Sequence, residues 1–169
     1  RHALRPGHRR VQEPAVTAKV LAATRAFRDG LAAMGRGDAF QAARRLRETL
    51  ELDPDFREAL PPLAYALTLT GDTRGAWDTL DACDRAGLGR DPGVLGNRVL
   101  LALMRGDFEE AKRWYQDATA VAPDLAAKYD GLFRALFEGK RDLAREQVRN
   151  LERQGIPIPP PLREILEKH

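Results

Sequence analysis

The stretch MGRGDAF, residues Met34–Phe40, decides the fold. Its centre, Arg36-Gly37-Asp38, has the spelling that adhesion receptors read, and the triplet returns at Arg105-Gly106-Asp107. The same register continues without the arginine at Thr70-Gly71-Asp72 and Glu138-Gly139-Lys140. The four glycines follow one another at steps of 34, 35 and 33 residues. The first place of the triplet varies freely, the glycine does not, and the third place accepts Asp or Lys. A glycine in this setting ends one helix, and an Asp after it opens the next. Gly37, Gly71, Gly106 and Gly139 are therefore read as hairpin turns, and Asp38 and Asp107 as helix caps. Arg36 and Arg105 are read as incidental solvated residues.

Working outward, the neighbourhoods repeat as well. Four residues after each triplet stands an alanine: Ala42, Ala76, Ala111 and Ala144. Four residues later comes a larger apolar side chain: Leu46, Leu80, Tyr115 and Val148. Prolines at Pro54 and Pro123 are read as closing the first and third units. The flanking runs VLAATRAFRDGLAAM, AFQAARRLRETLEL, RVLLALM and DFEEAKRWYQDATAV all carry apolar residues at helical spacing. A period of this length, with a helix on either side of each turn, is the mark of stacked helical repeats.

On these residues the chain resembles the tetratricopeptide repeat family, over about residues 23–155. The family places small side chains where neighbouring helices touch. Those places hold Gly30, Ala42 and Thr49 in the first unit, Ala64, Ala76 and Cys83 in the second, and Val99, Ala111 and Ala118 in the third. The fourth departs, with Leu132, Ala144 and Leu151, and the family's early aromatic is replaced throughout by Ala26, Leu60, Leu95 and Lys128. The resemblance implies an all-α fold, a right-handed solenoid of antiparallel helix hairpins, with units at about 15–55, 56–91, 92–124 and 125–155. Ala144 sets the register of the last unit; anchoring on Gly131 would shift its first helix by one residue.

The ends break the period. RHALRPGHRRVQEP, residues 1–14, is polar and aperiodic and is read as a loose basic arm. The first helix is expected from about Ala15, with Pro14 in its first turn. IPIPPP is read as a stiff polyproline-like link. Beyond it Leu162, Ile165 and Leu166 make the apolar stripe of a capping helix, which a solenoid needs to cover its last unit.

Composition narrows the function classes. At 169 residues, with 43% apolar and 31% charged side chains, one domain is expected. Residues 1–28 hold seven basic side chains and one acid, and the remainder holds 21 basic and 24 acidic ones. The body is thus mildly acidic, which argues against a basic nucleic-acid-binding surface; only the arm, through Arg1, Arg5, Arg9 and Arg10, offers one. No stretch is long and apolar enough to span a membrane. The single cysteine, Cys83, makes no internal disulfide and is expected to be a packing thiol in a reducing, cytoplasmic compartment, with an extracytoplasmic one left open. Arg1, with no initiator Met before it, reads as a processed end or the edge of a larger protein. Arginine outnumbers lysine 23 to 5, the codon usage of a GC-rich genome, and a bacterial source is expected.

No catalytic set assembles from these residues, and neither a cofactor nor a metal is expected. The histidines, His2, His8 and His169, all lie at the ends. The acids Glu48, Glu51, Asp53 and Asp55 read as helix faces and caps, GLGRDPG (87–93) as an inter-repeat turn, and Trp77 and Trp114 as packing residues. The resemblance implies a concave groove lined by Phe27, Leu31, Met34, Tyr65, Leu69, Leu100, Leu103, Met104, Tyr129, Phe133 and Phe137. Pro61, Gly96 and Asn97 stand where some relatives carry a carboxylate clamp, so no such clamp is expected. The groove either takes a helical or hydrophobic peptide partner or a second copy of the chain, or is filled from within by the first helix or the cap. A non-enzymatic interaction scaffold is the leading expectation. The alternative is a sensor or effector segment of a larger transcriptional regulator, its arginine-rich arm touching acidic partners or nucleic acid.

Overall fold

The computed structural model describes residues 13–168, with side chains from residue 17 onward. The arm, its four arginines and all three histidines lie outside the described residues or their side chains. Among the described residues the chain is helical throughout, with no strand. The helices are α1 (Glu13–Gly35), α2 (Ala39–Leu52), α3 (Leu60–Leu69), α4 (Thr73–Arg85), α5 (Pro92–Met104), α6 (Phe108–Val121), α7 (Pro123–Phe137), α8 (Arg141–Arg153) and α9 (Pro160–Glu167). A 3-10 turn, Arg57–Ala59, leads into α3.

The four expected turns share one geometry. Gly37, Gly71, Gly106 and Gly139 have φ of +77°, +81°, +79° and +70°, a region that glycine enters without steric cost. After each, the next N–H reaches back to a carbonyl five residues earlier: Asp38 to Ala33, Asp72 to Leu67, Asp107 to Ala102 and Lys140 to Ala135, all 2.9–3.0 Å. That bond satisfies a carbonyl orphaned at the helix end. The aspartates then cap the following helix. Gln41 N–H donates to Asp38 Oδ1 (3.0 Å), Gly75 N–H to Asp72 Oδ1 (2.9 Å) and Glu110 N–H to Asp107 Oδ1 (3.0 Å). Lys140 has no acceptor and makes no side-chain cap. One reading is corrected: Arg105 is not incidental. Its guanidinium pairs with Glu110 and lies 5.6 Å from the centre of the Trp77 ring. Arg36 is exposed.

Consecutive helices pack in pairs, α1 on α2, α3 on α4, α5 on α6 and α7 on α8, and successive pairs touch through α2–α3, α4–α5, α6–α7 and α3–α5. Ala42, Ala76, Ala111 and Ala144 are all 0% exposed, each buried at the same point after its turn. The need for small side chains is geometric. A Cβ on Gly30 would come within 2.8 Å of Leu46 Cγ. α5 is apolar nearly all round, as expected for an enclosed helix. Leu101 joins a core built from α1 to α4, while Leu100 and Leu103 join a second core shared with α7, α8 and α9.

Two proline readings change. Pro123 is the first residue of α7 rather than the close of the third unit, a place where its missing N–H costs nothing. Pro160 and Pro161 likewise form the first turn of α9 rather than a link. Ile158, just before them, is buried in the second core. Leu162 and Leu166 are buried with it and Ile165 packs against it, so α9 covers apolar surface as its stripe implied. It does so by packing on α8 and reaching back to α5. Arg145 and Arg141 donate to the carbonyls of Leu166 (2.9 Å) and Lys168 (2.8 Å), tying down the last turn.

Candidate functional site

The first helices α3, α5 and α7 and the start of α9 surround one apolar cavity of about 380 Å³. Its floor is a single stripe of α5: Gly93, Gly96, Asn97 and Leu100, at helical spacing. Pro61, Pro62 and Tyr65 form one wall, and Tyr129 and Phe133 another. Pro159 and Leu162 close the C-terminal side. Gly96, Tyr129 and Phe133 also border a second apolar cavity of about 100 Å³ beside it. None of the residues lining the larger cavity carries a charge at neutral pH.

Of the expected groove residues, Tyr65, Leu100, Tyr129 and Phe133 come together here. The others do not. Phe27 packs on Phe56 with ring centroids 4.9 Å apart, and Leu31 stands exposed. Leu103 is buried in the core, and Phe137 joins Tyr115 and Phe133 in an aromatic cluster. Met34, Leu69 and Met104 are half-buried away from the cavity. Phe133 itself is 9% exposed and packs on Tyr115 at 4.6 Å, so it is a core residue with one edge in the site.

Asn97 is the site's unusual member. It is 3% exposed, and neither its Oδ1 nor its Nδ2 has a hydrogen-bond partner among the described residues. Leaving a buried polar group open costs about 1–3 kcal/mol, so such groups are uncommon in folded proteins. In the sequence Asn97 and Arg98 are the polar pair of an otherwise apolar helix, but the isolation of the amide depends on the packing around it. Two phenols complete the site's polarity. Tyr129 donates to the Pro157 carbonyl at 2.8 Å. Burial, with Tyr129 nearby, raises the Tyr65 hydroxyl above its ordinary value, so it stays a donor at neutral pH.

On the other side of α5 lies a cluster that the sequence reading missed. Arg98 is buried, with its guanidinium 4.7 Å from the Trp114 ring centre and 6.0 Å from that of Trp77. It donates to Asp84 Oδ2 (2.6 Å) and to the Leu80 carbonyl (3.2 Å). The two tryptophans thus hold a cation as well as packing.

Cys83 is fully buried, as expected of a packing thiol. Burial pushes it up from 9.0 to about 11, with Arg98 pulling the other way. Thiol reagents are expected to modify it at least a hundredfold more slowly in the folded chain than in urea. The linkage has a definite sign. The unfolded thiol loses its proton near pH 9 and the folded one near 11, so stability falls across that window. Tyr65, Tyr115 and Tyr129, all raised by burial, act in the same direction. Urea melts at pH 8, 9 and 10 check the slope; a flat profile would count against the burial of these groups.

Among the described residues no group of three or more His, Cys, Asp or Glu is placed to hold a metal, and no helix is long and apolar enough to cross a membrane. The sequence matches no protein-family model and no curated protein.

Proposed function

We propose that this chain is a non-enzymatic interaction scaffold of the tetratricopeptide kind, a right-handed solenoid of four antiparallel helix hairpins whose concave face receives an apolar peptide. The repeat reading is supported by the four like turns, the four buried alanines and the 34-residue period. The functional reading rests on one observation: the cavity on the first helices is apolar, open and aromatic-walled, with a volume inside the range of ligand sites, roughly 300–1,000 Å³. Apolar grooves on helical surfaces are a common way to capture peptide segments.

Gly96→Trp tests this cleanly. A Cβ at Gly96 meets nothing within 4 Å, and the residue faces the cavity from the middle of α5. Tryptophan there is expected to fill the space, and loss of a helical glycine offsets some of its strain, by about 0.5–1 kcal/mol. Phe133→Ala is a poorer probe, because it removes a buried ring. The expected result is that proteins retained by the parent chain in a pull-down are lost with Gly96→Trp, at unchanged helicity and melting temperature. Retention of the same proteins by the plugged variant would sink the groove reading.

A further inference from the structure

We propose that α9 fills a helix-binding seat of this chain in cis, and that the partner is a longer amphipathic helix that takes its place. The seat is the apolar surface of α5, α7 and α8 at the C-terminal side of the cavity. Its occupant carries apolar side chains at the spacing of Leu162 and Leu166, and continues as helix where prolines stop α9. This rests on the scaffold reading and narrows its apolar peptide to a helix.

The fold itself shows what this surface accepts. α3 packs on α5, but α5 and α7 have no comparable contact, and α9 packs on α5 and on α8. Leu162 and Leu166 are 1% and 5% exposed, in one core with Leu100, Leu103, Phe133 and Leu136. Leu100, Phe133 and Leu162 also line the cavity, so seat and cavity form one continuous apolar surface. Polar contacts fix the direction of the occupant. Arg163 pairs with Glu152 near the end of α8, while Arg145 and Arg141 donate to the carbonyls of Leu166 and Lys168. A helix in the seat therefore runs antiparallel to α8, with a base beside Glu152 and its last carbonyls on the two arginines.

The attachment of α9 is one that can be exchanged. α9 has eight residues, fewer than the roughly 12–15 that an isolated helix needs in water, so its helicity depends on the seat. Four of the five residues 157–161 are prolines, which have no N–H to bond to the body. Among the described residues, the hydrogen bonds from the body to residues 157–168 come from the side chains of Tyr129, Arg141 and Arg145. The backbone bonds of Leu162 and Lys168 stay within the segment, so its departure opens no backbone bond of α1 to α8. Segments tied in this way open below the global unfolding free energy. A longer helix presents the same apolar residues and does not need the seat to stay helical. Its extra turn replaces the proline link at Pro159, on the edge of the cavity.

The test uses the full chain and a capped fluorescent peptide, AEKAIAAALREILEKH, in which residues 162–169 follow a helical lead instead of the prolines. Two substitutions loosen α9 without touching the residues it packs on. Leu166→Asp puts a charge on its buried face, and Arg163→Glu sets two acids against each other at Glu152. In the parent, α9 competes as a tethered ligand and keeps the peptide weak. Fluorescence anisotropy is expected to show the peptide binding Leu166→Asp at least tenfold tighter than the parent, and Arg163→Glu about threefold tighter. A control peptide with Asp in place of the leucine that matches Leu166 is expected to bind none of the three chains. Equal peptide affinity for all three chains, or binding of the control peptide, overturns the proposal. If Leu166→Asp lacks a cooperative melt, Arg163→Glu carries the decision alone, and an affinity equal to the parent's overturns it. A parent that sediments as a dimer, with Leu166→Asp a monomer, gives the seat to the α9 of a second copy and overturns occupancy in cis. If Gly96→Trp eliminates partner capture while the peptide does not distinguish the chains, the groove reading stands and the α9 seat falls. If Gly96→Trp retains its partners, the groove reading falls and this proposal with it.

Discussion

Ala111→Asp is expected to leave the chain without a cooperative fold at neutral pH, while Gln116→Asp on the same helix leaves the melting temperature within a few degrees. Ala111 is 0% exposed and lies in the core shared by α5, α7 and α8. Its backbone N–H already serves the Asp107 carbonyl (3.0 Å), so the first turn of α6 cannot swing out to rescue a charge. A carboxylate there meets apolar neighbours and also overfills a site sized for a methyl group. The combined cost is about 4 kcal/mol or more, a large share of the roughly 5–15 kcal/mol by which domains are stable. Gln116 is exposed and tolerates the same charge at little more than its helix propensity.

The pH dependence of that variant separates charge from volume. A buried carboxyl has a raised pKa in the folded state, so protonation favours the fold, and the deficit relative to the parent shrinks as pH falls from 7 toward 4. Overpacking does not titrate and remains. Ala42→Asp, Ala76→Asp and Ala144→Asp stand at equally buried points and are expected to behave alike. Circular-dichroism melts of the four variants carry the decision. A parent-like transition in Ala111→Asp would contradict helix contact at that alanine, and a wide spread among the four would argue against equivalent units.

How much of this was legible depends on how local the cause is. The turns and caps were readable because a left-handed glycine and a capping carboxylate act within five residues. Prolines were less so. Pro123 and Pro160 sit between two helices, and a ring with no N–H fits the end of one segment or the start of the next equally well. The buried alanines followed from the period, which carries information about packing between units. The groove was legible only in outline. Helical spacing puts Phe27, Leu31, Leu103 and Phe137 on the first helices. Which of them face open space depends on how far adjacent pairs stand apart and on α9 folding back to α5. Those are long-range consequences of side-chain shape. Asn97 and Arg98 are adjacent, yet they point into opposite environments, and neither environment is written in their own neighbourhood.

Arg98→Ala is expected to cost about 2–4 kcal/mol, and the reasons for that range also say what the residue does. Its guanidinium comes from α5, accepts no bond itself, and donates to α4 at Asp84 and the Leu80 carbonyl while facing Trp114 of α6. It therefore pins the second helices on both sides of α5. Asp84 is half exposed and re-enters water when its partner is lost, which keeps the loss below that of a fully buried ion pair. The larger loss is the cation over two rings and the packed stem. Arg98→Lys keeps the charge but not the planar group, and is expected to recover less than half of the difference. Arg98→Met keeps most of the volume and is expected to recover more than Lys does. A double-mutant cycle with Trp114→Leu, read by urea unfolding, isolates the ring contact, for which a coupling of about 1 kcal/mol is expected. Coupling near zero, with Lys fully replacing Arg, would reduce Arg98 to a solvated charge beside Asp84. It would also leave α4 and α6 without a shared anchor on α5.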